Sequence, residues 1–130
     1  MRVVSIFFTS QLVLLLGCTK KNEPLFTKVP ASYSGVVFRN EVEETPELNI
    51  LTYEYMYNGG GVAAADFNKD GFCDIYFSGN TVSNKLYLNQ GELKFSDVAL
   101  EAGVSGRESW KTGVSVVDIN ADGWLDIYLC

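Results

Sequence analysis

Histidine is absent from the 130-residue sequence, and cysteine (three), proline (three) and methionine (two) are scarce. Without histidine, imidazole acid–base catalysis and the zinc and triad sites that use it have neither base nor ligand. The cysteines are too few and too scattered for a disulfide framework, and no Cys-x-x-Cys pair occurs. Positive charge is also short: ten Lys and Arg stand against sixteen Asp and Glu, a formal charge of −6. Binding a phosphate backbone needs clustered cations, so nucleic acid is not an expected partner. Long apolar stretches are confined to the first seventeen residues.

Those seventeen residues have their own logic. Met1-Arg2 is a short positive start, and VVSIFFTSQLVLLL is an apolar run of fourteen residues ending in Leu15-Leu16-Gly17-Cys18. A membrane-spanning helix needs about twenty apolar residues, so the run suits a signal-peptide core better than a span. The Leu-Leu-Gly-Cys ending resembles the lipobox of bacterial lipoproteins. That resemblance implies removal of residues 1–17 and a lipid on Cys18, tethering the chain to a membrane of the cell envelope, expected to be the outer membrane. Processing removes Arg2 and no acid, taking the formal charge from −6 to −7.

Residues 18–34 hold two prolines among scattered polar residues and read as a tether. Residues 35–60 are expected to form an N-terminal strand region. GVVF looks strand-like, an acidic loop surrounds Thr45-Pro46, and TYEYMYN (52–58) alternates as a half-buried strand would. Tyr53, Tyr55, Tyr57 and Trp110 are expected to pack rather than form a sugar platform, because aromatic residues favour strands in any case. Cys73 is expected to pack as a small apolar side chain.

From Gly61 the chain repeats itself. GVAAADFNKDGFCDIYFS (61–78) and GVSVVDINADGWLDIYLC (113–130) are identical at nine of eighteen positions. Each copy reads strand, tight loop, strand. Between them lie strand candidates NKLYLN (84–89) and LKFSDV (93–98) with a turn at Gln90-Gly91, then one helical turn over 99–106 closed by Gly103. About four short antiparallel strands per repeat of some 50 residues is the content of one β-propeller blade. The expected fold is therefore all-β: one blade over 61–112 and the start of a second over 113–130.

Six of the sixteen acids fall within the two loops. Asp66, Asn68, Asp70 and Asp74 occupy positions 1, 3, 5 and 9, with Gly71 permitting the turn and the carbonyl of Phe72 available at position 7. Asp118, Asn120, Asp122, the carbonyl of Trp124, and Asp126 repeat the set. Oxygen donors alone, wrapped into nine residues, suit Ca²⁺ better than a transition metal. An EF-hand would need Glu at position 12 and flanking helices, whereas Phe77 and Leu129 stand there between strand-like flanks. Two bound Ca²⁺ would take −7 to −3, relieving the repulsion among these carboxylates.

These stretches resemble the FG-GAP or VCBS repeats of integrin-α-type β-propellers, in which such hairpin loops bind calcium. The segment from Tyr57 to Val104 is similar to exported bacterial proteins that often end in an ASPIC/UnbV domain. The resemblance covers residues 33–130 and implies a calcium-binding repeat lipoprotein serving as a binding or adhesion scaffold. Its ligand would be a glycan or a protein. With one full blade and part of another, the chain looks like the N-terminal portion of a longer protein. It is not expected to be an enzyme, since no residue pair stands out as catalytic. The alternative is the leading part of an exported polysaccharide-acting enzyme whose catalytic region lies beyond residue 130.

Overall fold

Short alternating segments punctuated by Gly, Asn and Asp favour short strands over helices, and the computed structural model is all-β apart from one four-residue turn of helix. It describes residues 24–106 and 109–130. After α1 (Ala31–Ser34) come β1 (Val62–Ala65), β2 (Asp74–Phe77), β3 (Lys85–Asn89), β4 (Phe95–Asp97), β5 (Val114–Val117) and β6 (Asp126–Leu129). The first four strands form one antiparallel sheet in the order β1-β2-β3-β4, and β5 pairs with β6 in a second. Registers Ala65↔Asp74 and Val117↔Asp126 set the two acidic loops at equivalent ends of equivalent hairpins. The signal segment and Cys18 lie outside the described residues. Among those residues, no helix is long and apolar enough to cross a membrane.

The core is small and partly polar. Tyr76, Leu86 and Ala99 are buried together, with Phe67, Leu88, Val104, Val114, Ile127 and Leu129 packed around them. The last three belong to β5 and β6, so the second hairpin helps cover the first sheet. Tyr76 takes its hydroxyl into this core because both bonding capacities are met: it donates to the Val104 carbonyl (2.8 Å) and accepts from Asn84 Nδ2 (2.8 Å). Asn84, itself fully buried, accepts from the Gly79 amide at 3.1 Å. Burial raises the Tyr76 pKa, and the bond from Asn84 only partly offsets this.

The chain before β1 departs from expectation: residues 35–60 contain no strand. Burial does alternate from Gly35 to Asn40, but the segment is laid across the sheet rather than added to it. Phe38 stacks on Phe77 with ring centroids 4.9 Å apart. Its backbone bonds go to side chains, from Val36 N to Ser34 Oγ and from Val37 N to Tyr87 Oη. Residues 52–58 are a run of tight turns. Asn49 accepts through its side chain from the Leu51 and Thr52 amides, and through its carbonyl from Tyr53. Local Asn and Thr bonds have won over ladder formation here. Met56 is buried, while Tyr55 and Tyr57 are more than half exposed.

Two smaller expectations also shift. The β3–β4 connection is not a turn at Gln90-Gly91 alone but a five-residue loop closed by Gln90 N to Lys94 O (2.7 Å), with Glu92 and Leu93 at positive φ. Cys73 is exposed rather than packed, because burial alternates along β2 and gives the inward place to Asp74. The turn after β4 does form: Ala102 N bonds Val98 O, and Gly103 closes it at φ 70°.

Candidate functional site

Both acidic loops are built by the same set of side-chain bonds. In the first, Lys69 (φ 62°) and Gly71 (φ 89°) adopt left-handed conformations that fold the loop back on itself. Ala121 (58°) and Gly123 (87°) do the same in the second. Asp66 then accepts from the amides of Asp70 (3.2 Å) and Gly71 (2.9 Å), as Asp118 does from Asp122 (3.0 Å) and Gly123 (2.8 Å). Asn68 Oδ1 also accepts from the Asp70 amide, and Asn120 from Asp122, both at 3.1 Å. Asp70 and Asp122 each accept from the amide two residues on, at 2.8 Å. Positions 1, 3 and 5 are thus gathered around one backbone amide in each loop.

Position 9 stands apart. Asp74 is fully buried; its Oδ2 accepts from Phe67 N (2.9 Å) and its Oδ1 from Asn89 N (2.8 Å). It fastens the loop to β3. Asp126 makes the first of these bonds, from Ile119 N at 3.0 Å. The side chains of Phe72 and Trp124 are about half exposed, at 49% and 50%. Lys69 reaches across from the first loop to lie 3.8 Å from the centroid of the Trp124 ring. The Trp124 amide and the Asn120 side chain, with a lesser contribution from Lys69, hold the Asp122 carboxyl below its ordinary range against the opposing effect of desolvation.

The chemistry of this donor set fits a hard divalent cation: carboxylate and carboxamide oxygens on exposed turns, with one spare lone pair or more on each. The arrangement does not yet converge. Among the described residues, no three Asp, Glu, Cys or His side chains come together closely enough to hold a metal ion. Asn68 Nδ2 donates to Asp70 Oδ2 (2.8 Å), and Asn120 Nδ2 to Asp122 Oδ2 (2.9 Å), so a donor group stands where a ligand oxygen would be required.

An oxygen-lined hairpin loop repeated between paired antiparallel strands defines a repeat class. Residues 66–129, from the first loop carboxylate to the end of β6, match the FG-GAP-like repeat family. That stretch is therefore similar to an FG-GAP-like repeat. Its curated relatives include cartilage acidic protein 1 from Homo sapiens, 35% identical over 72 residues that make up 55% of this chain. The Mus musculus protein is 35% identical over 69 residues (53% of this chain) and the Xenopus tropicalis protein 33% over 72 (55%). The matched region spans 11% of the length of each of these relatives. No solved structure matches the chain.

Sequence reasoning brought out the loops but not the buried polar residues behind them. Asn80, Asn84 and Lys111 are 2%, 0% and 5% exposed. The two asparagines sit in SGNTVSN, a stretch that reads as an ordinary polar connection. The clue available was that Asn commonly bonds nearby backbone and organises turns. Lys111 offered none.

Proposed function

We propose that this chain is part of an extracytoplasmic β-propeller scaffold whose hairpin loops bind Ca²⁺, lipid-anchored through Cys18 to the bacterial cell envelope. The observation that carries the reading is the repetition of one loop architecture within the stretch that matches the FG-GAP-like repeat family. Asp66, Asn68 and Asp70 would supply side-chain oxygens in the first site, with the Phe72 carbonyl and Asp74 closing it. Asp118, Asn120, Asp122, the Trp124 carbonyl and Asp126 would do so in the second. The ion would be structural: its binding free energy becomes folding free energy of the hairpin it closes. A repeat protein with this role presents surfaces to a glycan or protein and needs no catalytic groups, consistent with the absence of histidine.

Calorimetric titration with Ca²⁺, alongside Asp70→Ala and Asp122→Ala variants, tests the metal. Two binding events are expected, one lost with each substitution; no heat in any of the three proteins would sink the reading. Metabolic labelling with a tagged fatty acid is expected to mark the chain and to vanish in Cys18→Ser. Labelling that survives the substitution would remove Cys18 as the anchor.

A further inference from the structure

Away from the acidic loops, a cavity of about 350 Å³ opens between the β2–β3 connection and the stretch leading to β5. Asn80, Ser83, Ser105, Ser109, Trp110 and Lys111 line much of it. That volume lies within the range of small-molecule sites, roughly 300–1,000 Å³. Its wall is fixed in place. Asn80 donates to the carbonyls of Lys111 (2.7 Å) and Gly59 (3.2 Å), while its amide is held by Asn40 Oδ1 (2.9 Å). Trp110, also on the lining, is braced edge-on by Tyr53 with centroids 5.1 Å apart.

Two lining residues are incompletely partnered: Lys111 lacks a counter-ion and Trp110 an acceptor for its indole N–H, among the described residues. Lys111 is 5% exposed, and among the described residues its ammonium donates to neutral carbonyls, those of Ser109 (2.8 Å) and Gly79 (3.4 Å). Among the described residues no carboxylate oxygen lies within 4.0 Å of it. Burial pushes the Lys111 pKa down, the direction expected of a cation without a counter-ion. The indole N–H of Trp110 is likewise buried with no acceptor among the described residues. Burying an ammonium with no anion beside it is costly, so Lys111 on the lining of this cavity points to an anionic group brought from outside.

We propose that this cavity binds a small, hydroxylated monocarboxylate, a sugar acid, with its carboxylate at Lys111 and its ring against Trp110. Ser83, Ser105 and Ser109 supply hydroxyls for the ligand's own hydroxyl groups. A second carboxylate is disfavoured, because Glu41 and Glu43 line an adjoining cavity that shares Leu48, Thr81 and Val82 with this one. The site deepens the scaffold reading by naming a ligand class, and it does not involve the calcium loops.

The chain has two tryptophans, so its spectrum carries two indole N–H resonances, and Trp124 serves as an internal control for Trp110. In the full ¹⁵N-labelled chain, D-galacturonate at millimolar concentration is expected to shift the Trp110 resonance and leave Trp124 in place. D-galactose at the same concentration should leave both unmoved. Lys111→Met is expected to abolish the shift. Ser83→Ala, at an exposed position on the rim, keeps the fold and should weaken binding several-fold if Lys111→Met fails to fold. An unmoved Trp110 resonance, an equal response to galactose, or full binding by folded Lys111→Met would each overturn the proposal. A chain that binds Ca²⁺ but ignores galacturonate would remove this site and leave the scaffold reading standing.

Discussion

Asp74 and Asp126 hold the same place in their repeats, yet they carry different loads. Each accepts from the amide at position 2 of its loop, but Asp74 also holds Asn89 N of β3 and is fully buried. Asp74→Ala would strand one buried N–H, of Asn89, and one part-buried, of Phe67, at about 1–3 kcal/mol each, so a loss of roughly 2–6 kcal/mol is expected. Asp126→Ala strands one partly solvated donor and should cost about 1 kcal/mol. Urea unfolding of the two variants measures both, and equal losses would mean that the bond to Asn89 contributes nothing. This asymmetry was not legible in the sequence, where both residues read as position 9 of one motif. The spacing that fixes positions 1, 3 and 5 is local, whereas the partner of Asp74 lies fifteen residues on and is set by the β2–β3 register.

Elements were legible where the pattern was strict and misleading where side chains competed for the backbone. The six strands fall where alternation and turn residues place them, because a hairpin needs only a local turn and facing apolar positions. Residues 52–58 alternate equally well, yet Asn49 and neighbouring threonines capture the amides and fold the segment into turns. Between β3 and β4 the sheet is tied by Lys85 Nζ to Asp97 Oδ2 at 2.7 Å. The bond that Lys85 donates to Asp97 raises the Lys85 pKa over a smaller opposing effect of burial. Burial would raise Asp97, but Lys85 and the Ala99 and Leu86 amides together bring it below its ordinary value. The signs follow: the Asp97 contribution is present above pH 3.8 and fades as pH falls through the depressed folded pKa. The Lys85 contribution is present below pH 10.5 and is lost as pH rises through the elevated folded pKa. Since both side chains are about one-third exposed, at 38% and 33%, solvent screening limits the pair to about 0.2–1 kcal/mol. A Lys85→Met/Asp97→Asn double-mutant cycle should give that coupling near neutral pH and none below the Asp97 transition. Lys69→Met tests the other inter-element tie. Loss of the ammonium over Trp124 should cost about 0.5–1 kcal/mol and alter Trp124 fluorescence, with an unchanged emission spectrum counting against the contact.

At the scale of the whole molecule, the two hairpins share a core but leave their acidic loops at the surface, where every loop carboxylate except Asp74 keeps some exposure and Lys69 acts on Asp122. The core alone is thin: Tyr76, Leu86 and Ala99 are its buried centre. Much of the interior is instead closed by Asn80, Asn84 and Asp74, whose bonds specify geometry but add modest net stability. A ligand that binds the folded loops and not the unfolded chain therefore has large leverage over the melting temperature. At a free Ca²⁺ concentration 100-fold above Kd, each site would add about 2.7 kcal/mol. For a domain of this size, about 1 kcal/mol moves Tm by some 2–8 °C, so calcium is expected to raise Tm by several degrees or more. Screening alone would mimic part of that effect, so the comparison must hold ionic strength fixed with NaCl. Mg²⁺ is the sharper control, because it demands strict octahedral geometry and gives up its water reluctantly, which a loop of Asp and Asn side chains serves poorly. The expected order of Tm is Ca²⁺ well above Mg²⁺, with Mg²⁺ close to NaCl. Asp66→Asn combined with Asp118→Asn should retain acceptors for the loop amides while removing a charge from each site, lowering the Ca²⁺ increment more than the Tm in NaCl. If all three salts gave one Tm, the carboxylates would be acting on the backbone amides of their own loops and on nothing else.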